Sequence, residues 1–277
     1  MHIPRFWVKA SADAKGKDDQ DLALAVWGWG EDRFEAQREA KSRLERLVER
    51  VRKGDPFPGK YAYGNRPLRE EILETLPGAE EPRAILSRNR YGATVLNAAR
   101  LLFLDVDLDE NAGGLFSRLF SKVKPEDAAL ARLRDQLGNA GKGRFRVYRT
   151  AAGFRAIAVD REFDPAGKEA QDLMKATGTD PHFIRLCLAQ KSFRARLTPK
   201  PWRCDLKPPP GEYPREDPEM QRSFGEWLAE YEAVSKRYAT CRYLETVGRA
   251  AMVDTTSEDL VSLHDRFTRA TESLPLA

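Results

Sequence analysis

Two aspartates one residue apart, Asp105 and Asp107, close the apolar run Leu101-Leu102-Phe103-Leu104. In an extended chain, side chains at i and i+2 leave the same face, so these carboxylates project together, with Asp109 beside them if the strand continues. Crowded carboxylates repel each other and need a compensating charge. For oxygen ligands that charge is most naturally a hard divalent cation, Mg2+ or Mn2+. In phosphoryl and nucleotidyl transfer such a pair, here the metal ligands Asp105 and Asp107, holds the ions that stabilise the attacking and leaving oxygens. The competing reading is structural, because Asp also caps strands and opens turns.

Two basic segments supply what a phosphate would need. In Val147-Tyr148-Arg149-Thr150-Ala151-Ala152-Gly153-Phe154-Arg155, a small-residue turn between two strands offers backbone N–H groups to an anion. Arg149 and Arg155 add guanidinium forks, and Thr150 and Gly153 sit in the turn itself; a plain hairpin is the alternative. In Arg194-Ala195-Arg196-Leu197-Thr198-Pro199-Lys200-Pro201-Trp202-Arg203-Cys204-Asp205, prolines stiffen the backbone and fix Lys200 and Arg203. Trp202 either stacks on a base or anchors the loop. Cys204, beside basic residues, is a thiol of lowered pKa or a buried structural one. From Arg185 to Lys207 the basic residues Arg185, Lys191, Arg194, Arg196, Lys200, Arg203 and Lys207 face a single acid, Asp205. Such an excess attracts phosphate or forms a solvated basic face.

Other chemistries have few residues to work with. Three histidines (His2, His182, His264) and three widely spaced cysteines (Cys187, Cys204, Cys241) leave little for a zinc site, a disulfide framework or a Ser-His-Asp relay. His264 and Asp265 are neighbours on an expected helix and point about 100° apart, which speaks against a joint site. His182, after Asp180-Pro181, reads as a helix start.

Positioning these groups requires both strands and helices. Arg5 to Ala10 and Leu22 to Trp29 read as a hairpin, followed by a helix from Asp32 to Arg52 that Gly54, Pro56, Pro58 and Gly59 end. A short helix is expected over Arg69–Leu76, then extended chain over Arg83–Leu96 broken by Gly92. Arg100 to Leu108 reads as a strand covered on both faces. A loop containing Gly113-Gly114 leads to a helix from Pro125 to Leu137. Strands at Arg144–Thr150 and Phe154–Asp160 flank the small-residue turn. Helices follow at Pro165–Ala176 and Pro181–Phe193, then extended chain to Leu206 and the run Pro208-Pro209-Pro210. The tail reads as helical, Pro218–Arg237 and Ser257–Glu272.

The chain has 277 residues, 41% hydrophobic and 32% charged, with a net charge of +4. That is an ordinary globular composition, and no linker-like stretch divides it. A single domain is expected, with an N-terminal α/β part (1–97), a candidate catalytic core (98–207) and a helical C-terminal part (208–277). No apolar run approaches the ~20 residues of a membrane span. Without a secretory signal at Met1-His2-Ile3-Pro4-Arg5-Phe6, a cytoplasmic location with no membrane partner is expected.

In order along the chain, these pieces resemble the archaeo-eukaryotic primase superfamily. Leu102-Phe103-Leu104-Asp105-Val106-Asp107 is similar to its acidic strand motif. Thr150-Ala151-Ala152-Gly153-Phe154-Arg155 is similar to its nucleotide-binding turn, with Arg155 where that family carries histidine. Asp205 matches its third carboxylate, with Asp160 and Asp109 as alternatives. The resemblance covers about residues 100–205. It implies an α+β fold with a central mixed or antiparallel sheet, an RRM-like primase-type core flanked by helices, and a helical C-terminal tail. It also implies divalent-metal-dependent nucleotidyl or phosphoryl transfer on nucleotides or nucleic acid. Asp105, Asp107 and Asp205 would be catalytic, and Arg149, Thr150, Gly153, Arg155, Lys200 and Arg203 would bind phosphate. The alternatives are a non-catalytic nucleic-acid- or partner-binding protein on the same frame, and a phosphate-ester hydrolase.

Overall fold

The computed structural model describes residues 1, 3–17, 19–55, 67–108, 124–139, 143–248 and 257–277. Asp109, His2 and the Gly113-Gly114 loop lie outside the described residues.

The chain begins with a hairpin, β1 (Phe6–Lys15) and β2 (Asp21–Gly30), paired from Phe6 opposite Gly30 to Lys15 opposite Asp21. Helix α1 (Arg33–Lys53) lies on one face of it. Its start is fixed by Asp32, whose side chain accepts from Glu35 N at 2.7 Å, and its end by Gly54 in the left-handed region at φ 73°. Close approach depends on the glycines of Trp27-Gly28-Trp29-Gly30. A Cβ on Gly28 would stand 2.1 Å from Ala40 N and 2.3 Å from Ala36 O.

The rest is built on two four-stranded sheets, antiparallel throughout. The first has the order β3 (Glu71–Leu76), β4 (Ala84–Arg88), β5 (Thr94–Ala98), β9 (Phe193–Arg196). The second runs β10 (Cys241–Val247), β7 (Phe145–Thr150), β8 (Gly153–Ala158), β6 (Phe103–Asp107). Strands β6 and β9 are edges of their sheets and run close to one another. One core spans both sheets, with Leu96, Phe103, Leu104, Tyr148, Phe154 and Phe193 fully or almost fully buried. Among the described residues the further helices are α2 (Pro125–Asn139), α3 (Lys168–Ala176), α4 (Pro181–Gln190), α5 (Pro218–Ser235) and α6 (Glu258–Thr268). Among the described residues no helix is long and apolar enough to cross a membrane.

The fold is α+β, as expected, but two four-stranded sheets replace a single central one, and two elements differ from the sequence reading. Residues 71–76 form a strand, not a helix. A bulge between Ile72 and Glu74 breaks the alternation, leaving Ile72, Leu73 and Leu76 at spacings that mimic a helical stripe. The C-terminal part is not wholly helical either, since β10 pairs with β7, and its own bulge between Tyr243 and Glu245 hides the strand period.

The first sheet carries a buried polar network. Arg194, on β9, donates through Nη2 to Glu70 Oε1 and Oε2 at 2.8 and 3.0 Å, and through Nη1 to Asn97 Oδ1. Ser87 Oγ donates to Glu70 Oε2 at 2.6 Å, and Asn97 Nδ2 to Ser87 Oγ at 2.8 Å. With every member satisfied, the network fixes β9 beside β5, and Arg194 is thereby a structural cation.

The contact between Gly28 and α1 gives a first expectation. Gly28→Ala forces backbone apart, so it should destabilise the protein by about 2–3 kcal/mol. Thermal unfolding should show a clear drop in midpoint.

Candidate functional site

Sheet register decides which groups meet. Asp105 stands directly opposite Arg155 across the β6–β8 ladder, and Arg155 opposite Tyr148 across β7–β8. Asp107 stands opposite Gly153. A Cβ at Gly153 would lie 2.0 Å from Val106 O, so a glycine is needed for the hairpin to approach the acidic end of β6. Phe103, Asp105 and Asp107 share a face by alternation, as the sequence predicts.

Arg155 is 3% exposed, and its fork closes on Asp105: Nε to Oδ1 at 2.7 Å and Nη2 to Oδ2 at 2.9 Å. Its Nη1 donates to the Arg196 carbonyl at 3.0 Å and lies 3.3 Å from His264 Nε2. Burial alone would lower the pKa of Arg155; the Asp105 carboxylate more than reverses that, and the guanidinium stays charged. Arg155 thus bridges both sheets and helix α6.

Behind it, His264 is fully buried, with Nδ1 3.0 Å from Asp265 Oδ1. A charged guanidinium at Nε2 and a carboxylate at Nδ1 assign the proton to Nδ1. Tyr148 OH donates to Asp265 Oδ1 at 2.7 Å and Arg146 Nη2 to Asp265 Oδ2 at 2.6 Å. The expectation that His264 and Asp265 do not act together is corrected, because both reach the same buried face of the sheet. Burial and the nearby Arg155 charge push the His264 imidazole down to about 4.

At the open end of the site, Asp107 is in a different situation. Burial and the neighbouring Asp105 charge raise its pKa, with Asp180 acting in the same direction and Lys200 and Arg203 opposing. Asp180 caps α4, accepting from His182 N at 2.8 Å. Its charge also acts on Asp107, whereas the sequence places it only ahead of a helix start.

Three cations gather here: Arg196, Lys200 and Arg203. Burial, together with repulsion from Arg155 and Arg203, lowers Arg196 to about 10. Burial, Arg196 and Arg203 likewise lower Lys200. Arg196 makes one long hydrogen bond, Nη1 to Thr198 O at 3.4 Å. Among the described residues no carboxylate comes within ion-pair distance of any of the three, whereas Arg155, Arg146, Arg149 and Arg194 are each paired. Cations that repel one another without a matching acid form a site for an anion.

The structure brings Asp105, Asp107, Arg155, Lys200 and Arg203 together, and adds Arg196. It places the other candidates differently. Arg149 sits opposite Phe154, on the other face of the sheet from Arg155, and pairs with Glu126. Its Nη1 also donates to the carbonyls of Thr150 and Gly153. Thr150 Oγ1 accepts from Gly153 N at 3.0 Å, so this turn spends a donor on itself. Asp205 is exposed beyond the 3-10 turn Pro201–Arg203, and Asp160 follows β8 at the end of the sheet remote from Asp107. The Cys204 thiol is raised to about 11 by burial and Asp205, not lowered.

A protein-only metal cage is not formed among the described residues, where no three His, Cys, Asp or Glu side chains converge. Magnesium, however, is commonly held by one or two carboxylates with phosphate and water completing the shell. Asp107 suits that use, as do the lone pairs of Asp105 that Arg155 leaves open, since its side chain is 37% exposed. Concavity alone would have pointed elsewhere. A cavity of about 420 Å3 lies against β3 and the 89–91 turn, but its Arg69, Arg88 and Arg194 face Glu212, Glu71 and Glu70.

No protein-family model, curated protein or solved structure matches this chain.

The buried imidazole gives a pH expectation. A histidine depressed to about 4 in the fold but free to protonate near its usual 6.5 when unfolded contributes stability above pH 6.5. That stability is lost as pH falls from 6.5 towards 4. His264→Gln should flatten this limb relative to wild type in denaturant titrations across that range. Arg155→Met, which strands Asp105 and the Arg196 carbonyl, should cost about 3 kcal/mol at pH 7 in the same titrations.

Proposed function

We propose that the surface at the end of β6 binds the phosphates of a nucleotide or nucleic acid and performs divalent-metal-dependent phosphoryl or nucleotidyl transfer. One observation carries this reading: the charges of Arg196, Lys200 and Arg203 repel one another with no carboxylate at ion-pair distance among the described residues, beside the exposed Asp107. Phosphate oxygens would relieve the repulsion among the three cations and accept their unused N–H groups. Mg2+ or Mn2+, held by Asp107 and the free lone pairs of Asp105, would neutralise charge developing on the transferred group. Arg155 would hold Asp105 in place through both of its oxygens. The resemblance to the primase superfamily, with its RRM-like core, rests on the same acidic strand and points the same way. Asp180, whose charge acts on Asp107, is the alternative to the exposed Asp205 as a third acid.

A second reading has its own support. Both oxygens of Asp105 accept from Arg155, so half of the acidic pair is already neutralised. A site so arranged suits binding of nucleic acid without turnover.

Calorimetric titration of Mn2+ with a nucleoside triphosphate separates the two. Wild type should bind the metal-nucleotide complex, and Lys200→Ala or Arg203→Ala should weaken binding roughly tenfold or more each, as expected for a charge-assisted contact. Asp107→Ala should abolish the dependence on Mn2+. Binding that ignores metal and Asp107, with no release of pyrophosphate or phosphate, supports the binding-only reading. No binding at all, or none sensitive to Lys200 and Arg203, refutes both.

A further inference from the structure

We propose that Trp202 and Tyr91 form a stacking platform for the bases of a single-stranded nucleic acid, whose backbone runs onto Lys200 and Arg203. The inference rests on the phosphate reading of that cluster and extends it to the polymer.

Trp202 is 45% exposed. It lies in the 3-10 turn Pro201–Arg203, whose anchoring is done by other groups. Pro201 and Cys204 are the buried members, and the turn is closed by Arg203 N to Lys200 O at 2.9 Å and by Cys204 N and Leu206 N to Pro201 O at 2.9 and 3.0 Å. An exposed indole on a turn closed by its own backbone favours the stacking alternative over that of a core tryptophan anchoring the loop. It meets the Tyr91 ring edge-to-face, with centroids 5.0 Å apart at 87°.

Tyr91 is equally fixed. It occupies the turn joining β4 to β5, where Asn89 Oδ1 accepts from Tyr91 N at 3.0 Å and Ala93 N at 3.1 Å. Gly92 takes φ +81° there, pressed against the Trp227 ring. Two rings on two rigid turns, side by side at the end of the first sheet where β5 begins and β9 ends, make a surface whose ordering cost is met by the fold.

Charge sets what that surface fits. Arg90 stacks on Tyr91 at 4.6 Å and Lys200 Nζ lies 5.4 Å from the centre of the Trp202 ring. Lys200 follows β9, whose Arg196 carbonyl accepts from the same Arg155 that holds Asp105, so the segment carrying the platform leaves the sheet beside the acidic end of β6. Aromatic faces interleaved with cations are the combination that holds unpaired bases and their phosphates, since every base has a π-face and every linkage a charge. An apolar protein partner would not draw on the cations, and a duplex keeps its bases stacked internally.

Fluorescence anisotropy with a labelled twelve-residue oligothymidylate and with its duplex, over a series of salt concentrations, tests this. Wild type should prefer the single strand. Trp202→Ala should weaken it roughly tenfold, the scale of one lost base stack, with the salt dependence unchanged; Trp202→Phe should retain most of the affinity. Lys200→Ala should reduce the salt slope by about one ion. Tyr91→Ala should lose part of the affinity. Equal binding by wild type and Trp202→Ala, or a preference for duplex, overturns the platform. So does failure of wild type to bind the oligonucleotide; if Mn2+–triphosphate binding persists in that case, the phosphate site stands and only the platform falls.

Discussion

A guanidinium almost wholly removed from water must be answered by a carboxylate, and Arg155 is answered by Asp105 through both of its oxygens. Three parts of the molecule converge on this pair: β6 and β8 supply the two side chains, β9 a backbone carbonyl, and α6 the imidazole behind. Register makes the pairing unavoidable, because the two residues face each other across the ladder. The outer edge of one sheet is thereby tied to the edge of the other. The acidic end of β6 and the cationic segment after β9 are held side by side.

The division of labour among the charges follows from this. Arg194 and Glu70 lock the first sheet, Arg146 and Asp265 lock α6 to the second, and Arg149 closes its own turn onto Glu126. What remains, Arg196, Lys200 and Arg203, is positive charge with no carboxylate at ion-pair distance among the described residues. Asp107 lies among them, pushed towards protonation by burial and by Asp105. Such a surplus has a structural cost and no structural return, which is the physical reason for assigning it a ligand.

Much of this was legible in the residues. The apolar run into Asp105 and Asp107 marked both the strand and the shared face, and the prolines around Lys200 and Arg203 marked a stiffened basic segment. The small-residue turn at Ala151-Ala152-Gly153 marked the hairpin. What escaped depends on long-range geometry. Strands β3 and β10 were hidden by bulges that break the two-residue period. Arg155 carried no local sign that it would be spent on Asp105, 50 positions away. Arg149, only one residue from Tyr148 in sequence, leaves the sheet on the opposite face, a distinction that needs the register. Asp180, in sequence only the residue before a helix start, caps α4, and its charge acts on Asp107. The aromatic pairing of Tyr91 with Trp202 joins two turns with no sequence relation at all.

The central claim is that the three unmatched cations and Asp107 form one site for phosphate with a divalent ion. It is met most directly by a crystal structure grown with Mn2+ and a non-hydrolysable nucleoside triphosphate, with data collected for manganese anomalous scattering. The account predicts an anomalous peak bound to Asp107 and triphosphate oxygens on Lys200 and Arg203, with the Arg155–Asp105 fork intact. A triphosphate seated elsewhere, or a surface left to water at saturating ligand, would contradict it.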